Sequence, residues 1–189
     1  MGLYIQTLDD IPEEITIEKD YYLYLLEYNW NEPIGEALAN NYSNLVNLSS
    51  EAKSVVIRST KRTHFTDEVL SWHNINGLKN TEELLPAILI TNKHPSYFKI
   101  GNTNKDLSQK EFKFILIPLR KVCKTTSDMI KIIEEIFKDI NENKEISNFK
   151  ISKELNKGFG KTLVDSLILE PNFNGVGIKL KDIVNYFKR

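Results

Sequence analysis

The sequence predicts an α/β protein in which a mostly parallel or mixed central sheet of about five to six strands carries helices on both faces. Three runs, YYLYLLEY (21–28), SVVIRS (54–59) and PAILIT (86–91), are short and largely apolar. Strands that are buried on both faces have such continuous runs. Amphipathic helical segments alternate with them, and 41% of the 189 residues are hydrophobic, which is enough for one core.

The N-terminal part is predicted to contain two strands and one helix. We expect Ile15 and Ile17 on a short edge strand, where flanking charges would oppose aggregation. The tyrosine-rich strand at 21–28 follows. Pro33 suits the first turn of a helix, and apolar residues at helical spacing extend that helix over 33–49.

The middle of the chain continues the alternation of strands and helices. After the strand at 54–59, Thr63 or Thr66 can cap a helix that Gly77 would end. The strands at 86–91 and 112–117 are separated by a long connection. It either carries function or joins antiparallel neighbours.

The C-terminal part begins with a helix from the capping cluster TSD at 126–128 to about Asn141. The polar stretch 141–148 is the best candidate for a linker. We therefore expect an α/β domain over 1–145 and a C-terminal annex over 146–189 that packs on the same domain. Within the annex, SLILE at 166–170 predicts a strand, 175–180 a shorter one, and the last residues a helix.

Composition restricts the class of protein. A single cysteine, Cys123, excludes a disulfide framework and a cysteine-based zinc site, and it favours a cytoplasmic location. Lys121 and Lys124 flank this thiol, but burial as a small hydrophobe is the commoner fate. No apolar run is long enough for a membrane span, so we expect no membrane association. Lysine outnumbers arginine 21 to 4, which is typical of a bacterial or phage protein from an AT-rich genome.

Charge is unevenly distributed although the net charge is only −1. Residues 1–51 contain ten acids and one base, and the remaining 138 residues contain 24 bases and 16 acids, so the two parts carry −9 and +8. Either the two parts neutralise one another, or one of them is a binding face. The run 93–124 holds eight bases, two acids and the aromatic pair Tyr97–Phe98. It could bind an acidic protein or a nucleic acid, or be a solvated face.

Polar residues follow several of the predicted strands. In a parallel sheet the carboxyl ends of strands share one edge, where ligands bind. Because arginine binds anions in a bidentate manner, we assign ligand binding to Arg58 and Arg120, with Lys93 beside them. Glu27, Thr91 and His94 fall at the same kind of position, and His94 is the histidine that this pattern favours for function.

A second set of titratable residues lies on the predicted helix after 59. His64 and Glu68 are four residues apart and share a helical face, and His73 lies five residues further on. The spacing does not match H-E-x-x-H, and we predict no metal and no cofactor. If the protein is an enzyme, His94, His64 and Glu68 are its candidate catalytic residues.

Two short motifs resemble nucleotide or nuclease sites without completing them. NKGFGKT (156–162) ends like a P-loop, but Leu155 occupies the position of the first glycine and a polar segment precedes it. A glycine turn is the better interpretation. Glu111 and Lys113 fit a nuclease E-x-K, yet no acidic partner precedes them on a strand, and the same pattern occurs twice elsewhere.

These observations favour a non-enzymatic protein-interaction module, such as an accessory subunit of a larger bacterial complex. Either the acidic segment 1–51 or the basic run 93–124 would contact the partner. The alternative is a small α/β enzyme that acts on a phosphate-bearing or nucleic-acid substrate and is centred on His94, Arg58 and Arg120.

Overall fold

The computed structural model describes residues 1–28, 32–60, 62–73, 75–76, 84–98, 113–159, 168–169 and 178–179. The strands are β1 (Gly2–Ile5), β2 (Tyr21–Leu26), β3 (Ser54–Ser59), β4 (Ile75–Asn76), β5 (Ala87–Thr91), β6 (Phe114–Pro118), β7 (Ile168–Leu169) and β8 (Ile178–Lys179). The helices are α1 (Glu13–Thr16), α2 (Pro33–Asn40), α3 (Tyr42–Glu51), α4 (Arg62–Trp72), α5 (Leu119–Val122), α6 (Thr126–Asn141) and α7 (Lys150–Phe159).

Six of these strands form one mixed sheet in the order β1-β3-β2-β5-β6-β7. β1 and β2 are both parallel to β3, whereas β5 is antiparallel to β2 and to β6, and β6 is antiparallel to β7. β4 and β8 form a separate parallel pair. The predicted α/β class with a mixed sheet is confirmed, and the long connection after β5 joins antiparallel neighbours.

Helices cover both faces of the sheet. On one face α3 packs so closely on β1 that a Cβ atom on Gly2 would lie 2.1 Å from Cγ2 of Val46. Farther along this face, the ring of Tyr21 lies 5.8 Å from the ring of Phe149. On the opposite face the ring of Tyr24 contacts Phe65 of α4. Because helices lie on both sides, every residue of β2, β5 and β6 is buried.

One predicted helix, α6, has the expected bounds, whereas α4 ends at Trp72 and not at Gly77 as expected. Thr125 caps α6 through a capping box with Asp128, and α6 buries Met129, Ile133 and Ile136 along one stripe. The helix predicted over 33–49 is instead two helices that meet at Asn41. The side-chain amide of Asn41 donates to the carbonyl of Ala37 (2.8 Å), which satisfies the end of α2.

Asp139 connects α6 to the first part of the predicted annex. It is buried, and its carboxylate accepts from the ammonium of Lys144 (2.6 Å) and from the backbone N–H of Lys150 (2.5 Å). Phe149 and Ile151 belong to the same hydrophobic cluster as the strands of the sheet. Ile146, Phe149 and Ile151 therefore share the core of the preceding residues.

Three sequence predictions differ from the structure or fall outside the described residues. Ile15 and Ile17 lie in and just after the short helix α1, so the edge strand expected there is wrong. On this side of the sheet, β1 is the edge strand among the described residues. α7 continues through Phe159 and so includes the first part of NKGFGKT. The end of that motif, the residues up to 167 and the expected terminal helix lie outside the described residues. No helix in the described ranges is long and apolar enough to cross a bilayer.

Candidate functional site

The antiparallel direction of β5 separates the residues that the sequence placed at one edge of the sheet. Thr91 ends β5 opposite Phe114, the first residue of β6, whereas Ala87 pairs with Pro118 at the end of β6. His94 therefore lies at the edge opposite to Arg58 and Arg120. The two edges are about 13 Å apart along β6. The expectation that one edge unites these three residues is wrong, because it assumed that β5 runs parallel to β3.

His94 is held by hydrogen bonds that stabilise the chain around it. The backbone N–H of Ser96 donates to Nδ1 of His94 (3.1 Å), and the hydroxyl of Ser96 lies 2.7 Å from the same nitrogen. With Nδ1 as the acceptor, Nε2 of the neutral ring donates to the hydroxyl of Thr16 (2.7 Å). That hydroxyl donates to the carbonyl of Pro12 (2.7 Å). His94 thus caps the 3-10 helix Pro95–Phe98 and fixes α1 to the end of β5.

His73 is a core residue. Its ring lies edge-on to Tyr24 (5.4 Å) and to Phe114 (5.6 Å), and it is 1% exposed. Nδ1 donates to the carbonyl of Val69 (2.7 Å), because a carbonyl oxygen can only accept. Burial lowers the pKa of His73 to about 4, so the ring is neutral at pH 7.

His64 and Glu68 occupy one face of α4, and their environments differ from each other and from that of His73. His64 is exposed. Glu68 accepts from the backbone N–H of Leu8 (2.9 Å) and so holds the turn after β1 against α4. Burial raises the pKa of Glu68. Among the described residues, no group of three histidine, cysteine, aspartate or glutamate side chains could hold a metal ion.

The carboxyl edge of β1, β3 and β2 contains a buried ion pair. Nε of Arg58 lies 3.4 Å from Oε1 of Glu27, and the two side chains are 13% and 3% exposed. The guanidinium carbon of Arg58 is 5.5 Å from the ring centres of both Tyr4 and Tyr42. On the opposite face, the hydroxyl of Thr66 accepts from the backbone N–H of Glu27 (3.1 Å). Arg58 is therefore fixed by a carboxylate and two aromatic rings.

The other two predicted ligand-binding residues also have partners. Arg120, at the start of α5, forms an ion pair with Glu32, which follows β2, and both side chains are partly exposed. Arg120 thus lies at the same edge of the sheet as Arg58. The ammonium of Lys93 lies 5.8 Å from the ring centre of Tyr97. Ligand binding by Arg58, Arg120 and Lys93 stays a prediction.

Part of the basic run 93–124 lies outside the described residues, because 99–112 are not described. Within its described part, Lys113 forms an ion pair with Glu145 (3.2 Å). Cys123 is buried, and burial raises the pKa of its thiol to about 11. The prediction that this cysteine is a small buried hydrophobe fits that environment, and the flanking lysines do not activate it.

In the described part of the chain, the large hydrophobic side chains that are exposed belong to the acidic segment. Ile15 and Ile17 are 55% and 60% exposed, and Tyr4 is 58% exposed. Three exposed glutamates adjoin the two isoleucines in the sequence, Glu13 and Glu14 before them and Glu18 after them. We call these five residues, Glu13, Glu14, Ile15, Ile17 and Glu18, the acidic isoleucine surface.

Sequence reasoning missed this surface because it placed the isoleucines on a strand. It also missed Tyr4 and Tyr42 as partners of Arg58, because β1 was not recognised. A sequence pattern typical of a strand was present at 2–5, GLYI, which combines β-branched, aromatic and aliphatic side chains in four positions. The bond from Thr16 to His94 spans 78 residues, and no local pattern predicts it.

Comparisons with family models, with curated proteins and with solved structures found no match for this chain. The class of the protein therefore rests on its own geometry, which is that of an α/β domain with a mixed sheet.

Proposed function

We propose that this chain is a protein-interaction module, and that the acidic isoleucine surface binds a partner protein that presents basic side chains around an apolar contact. The observation that carries the proposal is the exposure of Ile15 and Ile17 among three exposed glutamates. A few side chains that become buried supply most of the binding energy of an interface, while surrounding charges select the partner and speed the encounter.

The shape of α1 supports this assignment. Thr16 is buried, and its hydroxyl contacts His94 and the carbonyl of Pro12. These bonds hold the four-residue helix in place, so Ile15 and Ile17, on either side of Thr16, are presented on a fixed backbone. A preorganised surface loses less conformational entropy on binding than a mobile one.

The charge of the partner follows from the charge of the surface. Glu13, Glu14 and Glu18 contribute three negative charges within six residues, and the segment 1–51 carries −9 in total. A basic protein surface is therefore favoured and an acidic one is repelled. On this basis the chain is an accessory subunit that docks onto a basic partner through the acidic segment, which is one of the two alternatives that the sequence left open.

Affinity purification of the tagged chain from its source organism tests the proposal. We expect one basic protein to be retained in near-stoichiometric amount at low ionic strength and to dissociate as salt screens the charges. Ile15→Ser together with Ile17→Ser, and separately Glu13→Lys with Glu14→Lys and Glu18→Lys, should each abolish its retention. Surface substitutions of this kind change stability by roughly 0.5 kcal/mol or less.

Charge-reversed controls are available in the same acidic segment. Glu36 and Glu51 are exposed acids outside the acidic isoleucine surface. Glu36→Lys with Glu51→Lys should leave retention of the partner unchanged. Equal retention by all variants, or retention of no protein by the unmodified chain, would contradict the proposal.

A further inference from the structure

The outer side of β1 presents peptide groups that the sheet does not use. β1 is the last strand on its side of the sheet in the described part of the chain. The carbonyls of Met1 and Ile5 accept from the N–H groups of Val56 and Thr60 (2.9 and 3.0 Å), so the odd-numbered residues direct their peptide groups toward β3. Peptide groups alternate in direction along a strand. The N–H and C=O groups of Gly2 and Tyr4 therefore point away from the sheet.

The available edge ends after Tyr4. The next residue with outward groups is Gln6, and its N–H donates to the carboxylate of Asp10 (3.1 Å) while its carbonyl accepts from the hydroxyl of Ser59 (3.2 Å). Within β1 itself, an added strand therefore pairs with Gly2 and Tyr4. This limit fixes the register of any added strand.

We propose that the occupant is β1 of a second copy of this chain, which pairs antiparallel across a two-fold axis at Leu3. In this register Gly2 of each copy lies opposite Tyr4 of the other, and the two pairs exchange four hydrogen bonds. A two-fold axis at Gly2 or at Tyr4 would yield only one pair with two hydrogen bonds. The axis at Leu3 therefore uses every outward peptide group, and it joins the two sheets into one.

This register brings an exposed aromatic side chain to the contact between the copies. Tyr4 is 58% exposed, and it lies directly across from Gly2 of the other copy. The space over Gly2 is filled by Val46 and Tyr42 of α3, so Tyr4 would pack beside α3 of the other copy rather than on the glycine backbone. Leu3 would face its own copy on the other side of the sheet.

The charges also allow two identical faces to meet. α3 (Tyr42–Glu51) lies beside β1, and its one charged side chain is that of Glu51, the last residue of the helix, two residues before Lys53. Antiparallel pairing brings the carboxyl edge of one sheet beside the amino edge of the other. Asp9 and Asp10 follow β1 at the first edge, and Lys53, whose side chain is 74% exposed, precedes β3 at the second. Opposite charges thus adjoin on both sides of the axis.

A disulfide reporter tests this pairing in the full chain. At the centre of the register, Leu3 forms a non-hydrogen-bonded antiparallel pair, whose Cα atoms lie about 4.5 Å apart and within reach of a disulfide. Leu3→Cys should therefore form a reducible covalent dimer under mild oxidation. The native Cys123 is buried and does not compete. Ile17→Cys, at a position that is 60% exposed, is the matched control and should stay monomeric.

A proline at position 4 provides a second test of the pairing. The N–H of Tyr4 points outward, so Tyr4→Pro removes no hydrogen bond within the sheet but removes two of the four bonds between copies. We expect it to lower the cross-linked fraction of Leu3→Cys about tenfold, with unchanged circular dichroism. In sedimentation experiments, the unmodified chain should dimerise with rising concentration and Tyr4→Pro should not. A Leu3→Cys chain that stays monomeric, or that cross-links equally with Tyr4→Pro, overturns the proposal.

Discussion

Glu27 and Arg58 show how strongly the burial of a charged side chain affects its contribution to the stability of the fold. Both lie at the carboxyl edge of the central strands and are nearly buried, whereas Glu32 and Arg120 form an ion pair at the same edge with both side chains about 40% exposed. A carboxylate and a guanidinium that have left water depend on each other. In the exposed pair, water and salt compensate each charge.

Glu27→Gln should therefore lower the free energy of unfolding by roughly 3 kcal/mol, because it leaves the charge of Arg58 buried without its carboxylate. Glu32→Gln is the matched control and should cost less than about 1 kcal/mol. Adding Arg58→Met to Glu27→Gln should restore part of the loss. Urea denaturation of the four chains measures these differences. Equal costs for Glu27→Gln and Glu32→Gln would show that burial does not strengthen the first pair.

At the level of the element, the sequence predicts the position of a strand along the chain better than the direction of that strand in the sheet. The apolar runs became β2, β3, β5 and β6 with bounds within about two residues. Burial on both faces gives a strand the same apolar pattern whether its neighbours are parallel or antiparallel, so the pattern could not reveal that β5 is reversed. The predicted site depended on that direction, and for this reason His94 was assigned to the wrong edge.

Short elements were the least predictable ones. β1 has four residues and α1 has one turn, and neither is long enough to show a period. Both are held by distant contacts, such as that of Glu68 with Leu8 and that of His94 with Thr16. The acidic isoleucine surface and the outer side of β1 both lie on these elements, so the surfaces proposed to bind partners were not visible in the sequence.

The packing of β1 on α3 depends on the absence of a side chain at position 2. A Cβ atom there would lie 2.1 Å from Cγ2 and 3.1 Å from Cβ of Val46. Gly2→Ala should lower the free energy of unfolding by roughly 1 to 3 kcal/mol, because β1 or α3 must shift.

Combining Gly2→Ala with Val46→Ala should recover much of this loss, since the second change removes the opposing methyl groups. Thermal denaturation of the two single variants and the double variant completes a double-mutant cycle. Strictly additive losses would indicate that the close contact between Gly2 and Val46 does not limit the packing of β1.

At the scale of the whole molecule, ion pairs already connect the acidic third to the basic remainder. Asp20 pairs with Lys53 (3.9 Å), Glu27 with Arg58, and Glu32 with Arg120, so several acids in residues 1–51 meet described bases from beyond residue 51. Self-neutralisation and an exposed acidic surface are therefore not exclusive alternatives in this fold. The paired acids lie near the ends of the central strands, and the acidic isoleucine surface lies on the connection between β1 and β2.

The stability of the whole domain should depend on His73, because this residue lies where α4, β2 and β6 meet. Its pKa is about 4 in the folded protein, compared with about 6.5 in an unfolded chain. Above pH 6.5 the ring is neutral in both states and costs nothing. As the pH falls from 6.5 to 4, the unfolded state takes up the proton first, and the folded state loses about 3 kcal/mol relative to it.

Urea denaturation at pH 7 and at pH 4.5 measures this effect. His73→Phe keeps an aromatic ring between Tyr24 and Phe114 but removes the titrating group. The unmodified protein should therefore lose about 2 to 3 kcal/mol more than His73→Phe does between the two pH values. His64→Gln, at an exposed position on the same helix, should follow the unmodified protein. If His73→Phe lost an equal free energy of unfolding between the two pH values, acid would destabilise the fold through other groups. The ring of His73 would then accept a proton within the core without breaking its contacts.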